Sequence, residues 1–296
     1  ARVMTAEAMR KERYRRPFLS EAPSRLRPVF EDFHLLSTDG RYEYPRHQHS
    51  NYEVILVERG PYRCELNGEE LELGNGALLV VKPGDWHADH FRAGQRHYVL
   101  HFRIVPPEPG SLEPRLFRER VAASEQTILG DHGHNAALLE ELRREAVAAQ
   151  SFAGAVQDAL LEALFWRIAR NLPARALSPE MQRVPQQERE RAELAVAFAE
   201  WVERPSEVGD VAATLKISPR QLANRCREAF GESPARLLAE FKVRRAEELL
   251  RFRGLRVQEA SHRLGFANPF HFSRVFKRLR GYPPSAAARD VSAGAD

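Results

Sequence analysis

The sequence predicts a multidomain chain in which an N-terminal all-β barrel with trailing helices precedes a C-terminal all-α domain with two helix-turn-helix motifs joined by a linker helix. Three observations carry this prediction. Short apolar runs alternate with Gly, Pro and Asn turns between residues 29 and 105. The hydrophobic period becomes helical from Asn135 to Asn171. A pattern of cap, proline, basic helix and glycine then occurs twice after residue 205.

The length and the distribution of charge limit the classes of protein to consider. A chain of 296 residues is expected to form about two domains. From Glu207 to the end there are 17 Lys and Arg against 10 Asp and Glu, whereas the preceding residues hold 28 against 31. The positive excess therefore lies on the C-terminal end, as attraction to nucleic-acid phosphates requires.

The cysteines and the hydropathy pattern predict a cytoplasmic protein. Cys64 and Cys226 lie far apart in different predicted domains, which argues against a disulfide framework and favours a reducing compartment. No apolar run reaches eighteen residues, and no charged, apolar and small leader is present, so no membrane partner is expected.

Residues 1–28 are rich in charge and are interpreted as an N-terminal arm. Residues 29–125 are expected to form the barrel. Its strands are predicted at residues 52–60, 62–73, 76–87 and 97–105.

Four side chains in this region have the chemistry of a metal site, namely His47, His49, Glu53 and His87. Alternation places His47 and His49 on the same face of one strand. Three imidazoles and a carboxylate suit Zn, Ni, Fe or Mn and leave open positions in an octahedral shell. The same residues are equally compatible with a metal-free pocket in which they hydrogen-bond an effector.

Aromatic residues surround these positions in the sequence. Tyr42, Tyr44 and Trp86 are candidates for an effector pocket because their rings can stack on the apolar face of a sugar. Packing inside the barrel is the alternative role for them.

Residues 126–172 are expected to be helical, with an i, i+4 apolar stripe at Val156, Leu160, Leu164 and Ile168. The stripe predicts a helix packed on another surface, such as its own barrel. Residues 173–188 are rich in Pro, Ser and Gln and are interpreted as an interdomain linker, with a new helix from residue 188. Residues 189–296 form the third predicted region.

This C-terminal region contains two copies of one local pattern. Ser218 and Asn268 are predicted N-caps, each is followed by a proline at the first helical position, and Gly231 and Gly281 end the two helices. Gly265 supplies the left-handed conformation of the second interhelical turn. A basic second helix after a tight turn is what a DNA-binding helix-turn-helix requires. An ordinary helical hairpin is the alternative for one copy, and the second copy argues against it.

A helix over residues 234–252 is predicted between the copies, capped by Ser233. At about 1.5 Å per residue it spans roughly 30 Å, close to the ~34 Å between successive major-groove faces of B-DNA. Such a spacer can hold both basic helices on one side of a duplex.

Residues from about 189 to 289 resemble the DNA-binding domain of the AraC/XylS family of bacterial transcription regulators. The residues that carry the resemblance are Ile217–Leu222, Lys242–Leu250 and the block Ala260–Tyr282 with Pro284. Cys226 and Phe270 depart from the residue types usual in the family. The motifs Gly40-x6-HxH-x3-Glu-x6-Gly60 and Gly76-x6-Pro83-Gly84-x2-His87 resemble those of the cupin family.

The resemblance implies a ligand-responsive regulator with a cupin-like sensor. It implies a homodimer formed through the helices after the barrel, double-stranded promoter DNA as a partner, and RNA polymerase if the protein is an activator. It also makes a carbohydrate the first expectation for the small-molecule effector. The histidine–phenylalanine pair at His101 recurs in the family, so that His101, like His97, is expected to be a satisfied core histidine.

The predicted DNA contacts divide into base readers and phosphate contacts. Arg220 and Asn224 suit guanine and adenine edges, Phe270 suits a thymine methyl group, and His271 and Arg274 are exposed near it. The predicted phosphate contacts are Arg225, Arg227, Lys277 and Arg278.

Two other functions fit the same sequence. A metal-dependent cupin enzyme, a dioxygenase or isomerase with a DNA-binding tail, is favoured by the full set of three histidines and one glutamate. No separate general base is evident, however, so a protein without enzymatic activity is predicted. A constitutive dimeric DNA-binding protein with a filled barrel is the third hypothesis.

Overall fold

A computed structural model describes residues 26–105, 114–130, 133–148 and 150–289. The predicted N-terminal arm lies outside the described residues up to residue 25. The chain divides into two compact units, and the division falls between Val184 and Pro185.

The first unit contains two antiparallel sheets, which confirms the predicted all-β N-terminal domain. The five-stranded sheet has the order β1-β8-β3-β6-β9, and the four-stranded sheet has the order β2-β7-β4-β5. The strands are β1 (Arg27–Ser37), β2 (Tyr42–His47), β3 (Tyr52–Arg59), β4 (Tyr62–Leu66), β5 (Glu69–Leu73), β6 (Leu78–Val81), β7 (His87–Phe91), β8 (Arg96–Val105) and β9 (Thr127–Ile128).

The five-stranded sheet is covered on both faces, which explains why six successive residues of β3 are buried. Side chains alternate along a strand, so Val54 and Leu56 point to one face while Ile55 and Val57 point to the other. Val54 and Leu56 join a core with the helices that follow the sheet. Ile55 and Val57 join a second core with residues of the four-stranded sheet, including Tyr62. Glu53 follows the same alternation and therefore lies on the side of the second core.

The region predicted to be helical forms α1 (His134–Ala148) and α2 (Ala153–Asn171). The buried residues of α2 include Leu161, Leu164, Phe165 and Ile168, and they belong to the core beneath the five-stranded sheet. In the predicted apolar stripe, Leu164 and Ile168 therefore pack on their own sheet and Leu160 is partly buried against it, whereas Val156 is exposed.

The predicted start of the next helix at residue 188 is wrong, because α3 (Pro179–Glu200) begins inside the predicted linker. Ser178 caps this helix, since its Oγ accepts a hydrogen bond from the backbone N–H of Met181 at 3.2 Å. Pro179 occupies the first turn, where its missing N–H costs nothing. The Pro and Ser residues that predicted a linker are thus the signals of a helix start.

The second unit is all-α around one core and confirms the predicted C-terminal architecture. Its helices after α3 are α4 (Val208–Thr214), α5 (Pro219–Phe230), α6 (Pro234–Phe252), α7 (Val257–Arg263), α8 (Pro269–Arg280) and α9 (Pro284–Arg289). None of the helices in the described residues is both long and apolar enough to cross a membrane.

Candidate functional site

The helix pairs α4–α5 and α7–α8 are two copies of one motif, offset by 50 residues at the start of each second helix. Ser218 Oγ accepts from the backbone N–H of Gln221 at 3.2 Å. Asn268 Oδ1 accepts from the backbone N–H of His271 at 2.7 Å. Gly231 and Gly281 end the helices in the left-handed conformation, at φ 71° and 81°. The predicted caps and stops are confirmed.

The buried faces of α5 and α8 also correspond. Leu222 and Cys226 are fully buried in the first motif, and Phe272 and Phe276 take the same helical positions in the second. Cys226 therefore stands where the other copy has a large aromatic residue, and both fill one core.

The opposite faces of α5 and α8 carry most of the predicted DNA contacts. These residues are exposed, and across the described parts of the chain they make no ion pair or side-chain hydrogen bond. Phe270 is an exposed large hydrophobic residue, at 82%. The set consists of Arg220, Asn224, Arg227, Phe270, His271, Arg274, Lys277 and Arg278.

Arg225 does not belong to this free surface. Its guanidinium pairs with Glu190 and Glu193 on α3, and these bonds raise its pKa further above the ordinary range. The prediction of Arg225 as a phosphate contact therefore needs correction, since its charge already has two partners inside the unit. Arg280 on α8 is likewise held by Glu240 and Glu247 of α6.

A buried lysine joins α6 to the segment after α3. Lys242 is 5% exposed, and its Nζ donates to the backbone oxygen of Arg204 at 3.2 Å. Burial lowers the pKa of this ammonium group. The ring of Phe266, in the turn of the second motif, lies 5.6 Å from the same Nζ. Lys242 thus fixes the second motif against the rest of the unit.

The predicted metal residues of the first unit come together at the side of the core between the two sheets. Glu53 lies on β3, His87 begins β7 and His47 ends β2. His49 lies in the connection after β2, so the prediction that both histidines share one strand is wrong. The nitrogen atoms of His47, His49 and His87 still lie within 4.8 Å of one another.

Distances to the carboxylate of Glu53 match the edges of a coordination polyhedron. Glu53 Oε2 lies 3.3 Å from His49 Nε2 and 3.1 Å from His87 Nε2. Metal–ligand bonds of about 2.0–2.1 Å place neighbouring ligand atoms roughly 3.0–3.4 Å apart. These atoms therefore already have the separations that one bound divalent ion would impose.

Backbone contacts orient two of the imidazoles. The Nδ1 atoms of His47 and His49 lie 3.0 Å from the carbonyl oxygens of Pro45 and Asn51. A carbonyl oxygen can only accept, so each Nδ1 carries the hydrogen and each Nε2 keeps its lone pair in the neutral ring. This tautomer is the one that a metal ligand needs.

The ionisation of Glu53 and the buried nitrogens of His87 also bear on metal binding at this site. Burial alone would raise the pKa of Glu53, but the neighbouring imidazoles of His101, His49 and His87 hold it well below the ordinary range. His87 is 1% exposed, and both of its ring nitrogens lack a hydrogen bond of adequate geometry, although Nε2 lies 3.1 Å from Glu53. A buried nitrogen without a partner fits a ligand position.

His101 was missed as part of this site. It lies on β8 directly opposite Glu53 of β3, and its Nε2 is 3.5 Å from Glu53 Oε1. Glu53 and Asp32 raise the pKa of His101 to about 9, against the effect of burial. His97 is a buried core residue that stacks on Phe91 with ring centroids 5.3 Å apart, but its Nδ1 has no hydrogen-bond partner among the described residues, so the expectation that it is satisfied is not met. His97 and His101 differ in their partners on β3, because the strand register places His101 opposite Glu53 and His97 opposite Val57. This register cannot be deduced from the sequence.

The three aromatic residues predicted to line the effector pocket do not lie together in the structure. Tyr42 and Tyr44 are half-exposed on β2, and the ring of Tyr44 lies 4.8 Å from that of His47. Trp86 instead lies against Arg46 at 4.9 Å, and Arg46 approaches Glu65 on the outward side of the four-stranded sheet. The placement of Trp86 in the effector pocket therefore needs correction.

Comparisons with known proteins cover both units. Residues 36–169 match the family described as AraC-like ligand binding domain, and residues 211–290 match the helix-turn-helix domain family. The HTH-type transcriptional activator RhaS of Klebsiella pneumoniae is 26% identical over 269 residues, 86% of this chain and 89% of the relative. RhaS of Escherichia coli O81 is 24% identical over 274 residues with the same coverage.

Among solved structures, the unsaturated fatty acid bound ToxT of Vibrio cholerae is similar at 12% identity and a TM-score of 0.33. The match covers 91% of this chain and 98% of that one.

Proposed function

We infer that the chain is a ligand-responsive transcriptional regulator of the AraC family. On that premise, we propose that α5 and α8 bind successive major grooves of promoter DNA and that the histidine cluster of the sensor unit binds the effector. The observation that carries this proposal is the pair of equivalent helices whose outward cations have no partner in the described residues. Charge that is not neutralised within the protein is available to phosphates.

In the proposed complex with DNA, the phosphates are contacted by Arg227, Lys277 and Arg278. The base edges are faced by Arg220, Asn224, Phe270, His271 and Arg274. The last group lies in the N-terminal halves of the helices, the part of a recognition helix that enters the groove. Arg225 stays with its glutamates.

Duplex binding is expected to weaken with salt in proportion to these phosphate contacts. Three contacts correspond to a slope of about −2.7 in a double logarithmic plot, or about a 40-fold loss between 50 and 200 mM salt for each bound chain. Fluorescence anisotropy over a salt series measures this slope. Lys277→Ala is expected to make the slope shallower by about 0.9, whereas Arg225→Ala leaves it unchanged. Absence of duplex binding in dilute buffer would contradict the proposal.

We propose further that His47, His49, Glu53 and His87 hold one divalent ion of the Zn, Ni, Fe or Mn class. The matching distances support this assignment, as do the buried ring nitrogens of His87, which make no hydrogen bond of adequate geometry. Such an ion would supply Lewis-acid positions for an effector oxygen. Elemental analysis of protein purified without chelator tests it against the metal-free alternative.

The effector class and the response are also proposals. Tyr44 presents a half-exposed ring beside His47, and the half-exposed ring of Tyr42 lies next to that of Tyr44. These rings favour a carbohydrate that stacks its apolar face there. The relatives named above are transcriptional activators, and we propose the same sign of regulation here, with RNA polymerase as the partner.

We also propose a homodimer through the outward side of α1 and α2, because the inward side is already buried. Sedimentation of the purified chain tests the dimer.

A further inference from the structure

We propose that Asp32, His34 and His101 form a second divalent-cation position next to the inner cluster. These residues lie on β1 and β8. Asp32 and His34 belong to no motif found in the sequence, and His101 is expected there only as a core histidine. This outer ion would be bound in addition to the inner ion proposed above. The outer site depends on that proposed function only through His101, which also contacts Glu53 of the inner site.

Strand pairing brings the three side chains together. Asp32 stands directly opposite His101 in the β1–β8 ladder, and His34 follows two residues later on the same face. A shift of register between Phe30 and Asp32 sets this alignment. Bulges of this kind often turn side chains towards functional sites. The position therefore depends on backbone pairing within a sheet, which holds ligands more accurately than a loop.

The donor atoms are close enough for one ion. One ligand atom from each of Asp32, His34 and His101 lies within 4.8 Å of the others. Asp32 Oδ1 is 2.5 Å from His101 Nδ1 and 3.5 Å from His34 Nε2. A divalent ion that binds between these atoms would displace the proton of the hydrogen bond between the Asp32 carboxylate and the His101 imidazole.

The chemistry of the set is that of a divalent transition metal. Two imidazoles and one carboxylate bind Zn in hydrolytic enzymes and Fe in oxygenases, and leave positions open for water or another oxygen ligand. His34 and Asp32 are 54% and 53% exposed at their side chains, whereas His101 is 17% exposed. The outer position is thus open to solvent on one side.

His101 connects the two positions. Its Nε2 faces Glu53 Oε1 at 3.5 Å, while its Nδ1 faces Asp32. Two divalent ions on either side of one imidazole would repel each other electrostatically, so the second ion is expected to bind more weakly than the first. The inner position, with four buried or half-buried ligands, is the tighter one.

Zinc titration of the full chain, stripped with chelator and followed by equilibrium dialysis, tests the proposal. Two ions per chain are expected, in a tighter and a weaker class. His34→Gln and, separately, Asp32→Asn are each expected to remove the weaker class and to keep the tighter one. His87→Gln is expected to remove the tighter class. His90→Gln is the matched control, because His90 lies on the outward face of β7 and pairs with neither cluster.

The outcomes separate the two proposals. Retention of two ions by both His34→Gln and Asp32→Asn would overturn the outer site. One ion in the unmodified chain, lost only in His87→Gln, would overturn the outer site and leave the inner site standing. No bound zinc in any form would contradict both. Circular dichroism of each variant verifies that both units remain folded.

Discussion

Replacing Gly265 with alanine is expected to lower the free energy of unfolding of the C-terminal unit by about 3–5 kcal/mol. Two causes act together. Gly265 has φ +67°, a conformation that costs a residue with a Cβ about 1–2 kcal/mol. A Cβ at this position would also lie 2.2 Å from the backbone nitrogen of Pro205 and 2.4 Å from the carbonyl carbon of Arg204. Backbone atoms cannot move aside as a flexible side chain can.

Gly231→Ala is the matched control for this experiment. Gly231 has φ +71°, but no atom lies within 4 Å of a Cβ built on it. It should therefore show only the conformational cost, about 1 kcal/mol. Hydrogen exchange of the amides in α5 and α8 measures both variants within the full chain. Equal effects of the two substitutions would contradict the close approach of the turn to Pro205.

Replacing Arg220 with alanine is expected to cost about 1–3 kcal/mol of DNA-binding free energy at one base pair and to relax specificity there. Arg220 is exposed at the start of α5, and within the described residues it makes no ion pair or hydrogen bond. A guanidinium at this place can donate two hydrogen bonds to a guanine edge. Binding to a panel of single-base operator variants gives the position-specific loss.

Arg225→Ala on the same helix is the control for charge. It removes an equal charge whose partners are Glu190 and Glu193, so the loss should appear in stability rather than in specificity. A loss with Arg220→Ala that is uniform over all operator variants would instead assign Arg220 to the phosphate backbone.

Local chemistry explains how much of the fold was predictable. The caps Ser218, Ser233 and Asn268, each followed by a proline, start helices in the structure where the sequence predicts them. The signals at these positions act over three or four residues, which is the range that a single sequence displays. The same signal is present at Ser178, but the Pro and Gln residues near it indicate a linker.

Long-range pairing explains what was not predictable. The partners of Arg225 lie 35 and 32 residues away on α3, and nothing near Arg225 indicates them. His101 joins the metal cluster only through the register of β3 with β8. Trp86 precedes His87 in the sequence, but its ring lies against Arg46 whereas His87 faces Glu53, so the two separate. Residue types therefore identified candidates for the site, and the sheet register decided which of them meet.

Selection from random-sequence duplex DNA tests the central claim most directly, because α6 is expected to hold both motifs on one side of the helix. Its 19 residues span about 28 Å, close to one turn of B-DNA. The account predicts two enriched sequence blocks whose centres lie about 10–10.5 base pairs apart. A single enriched block, two blocks at variable separation, or no enrichment above the starting pool would contradict it.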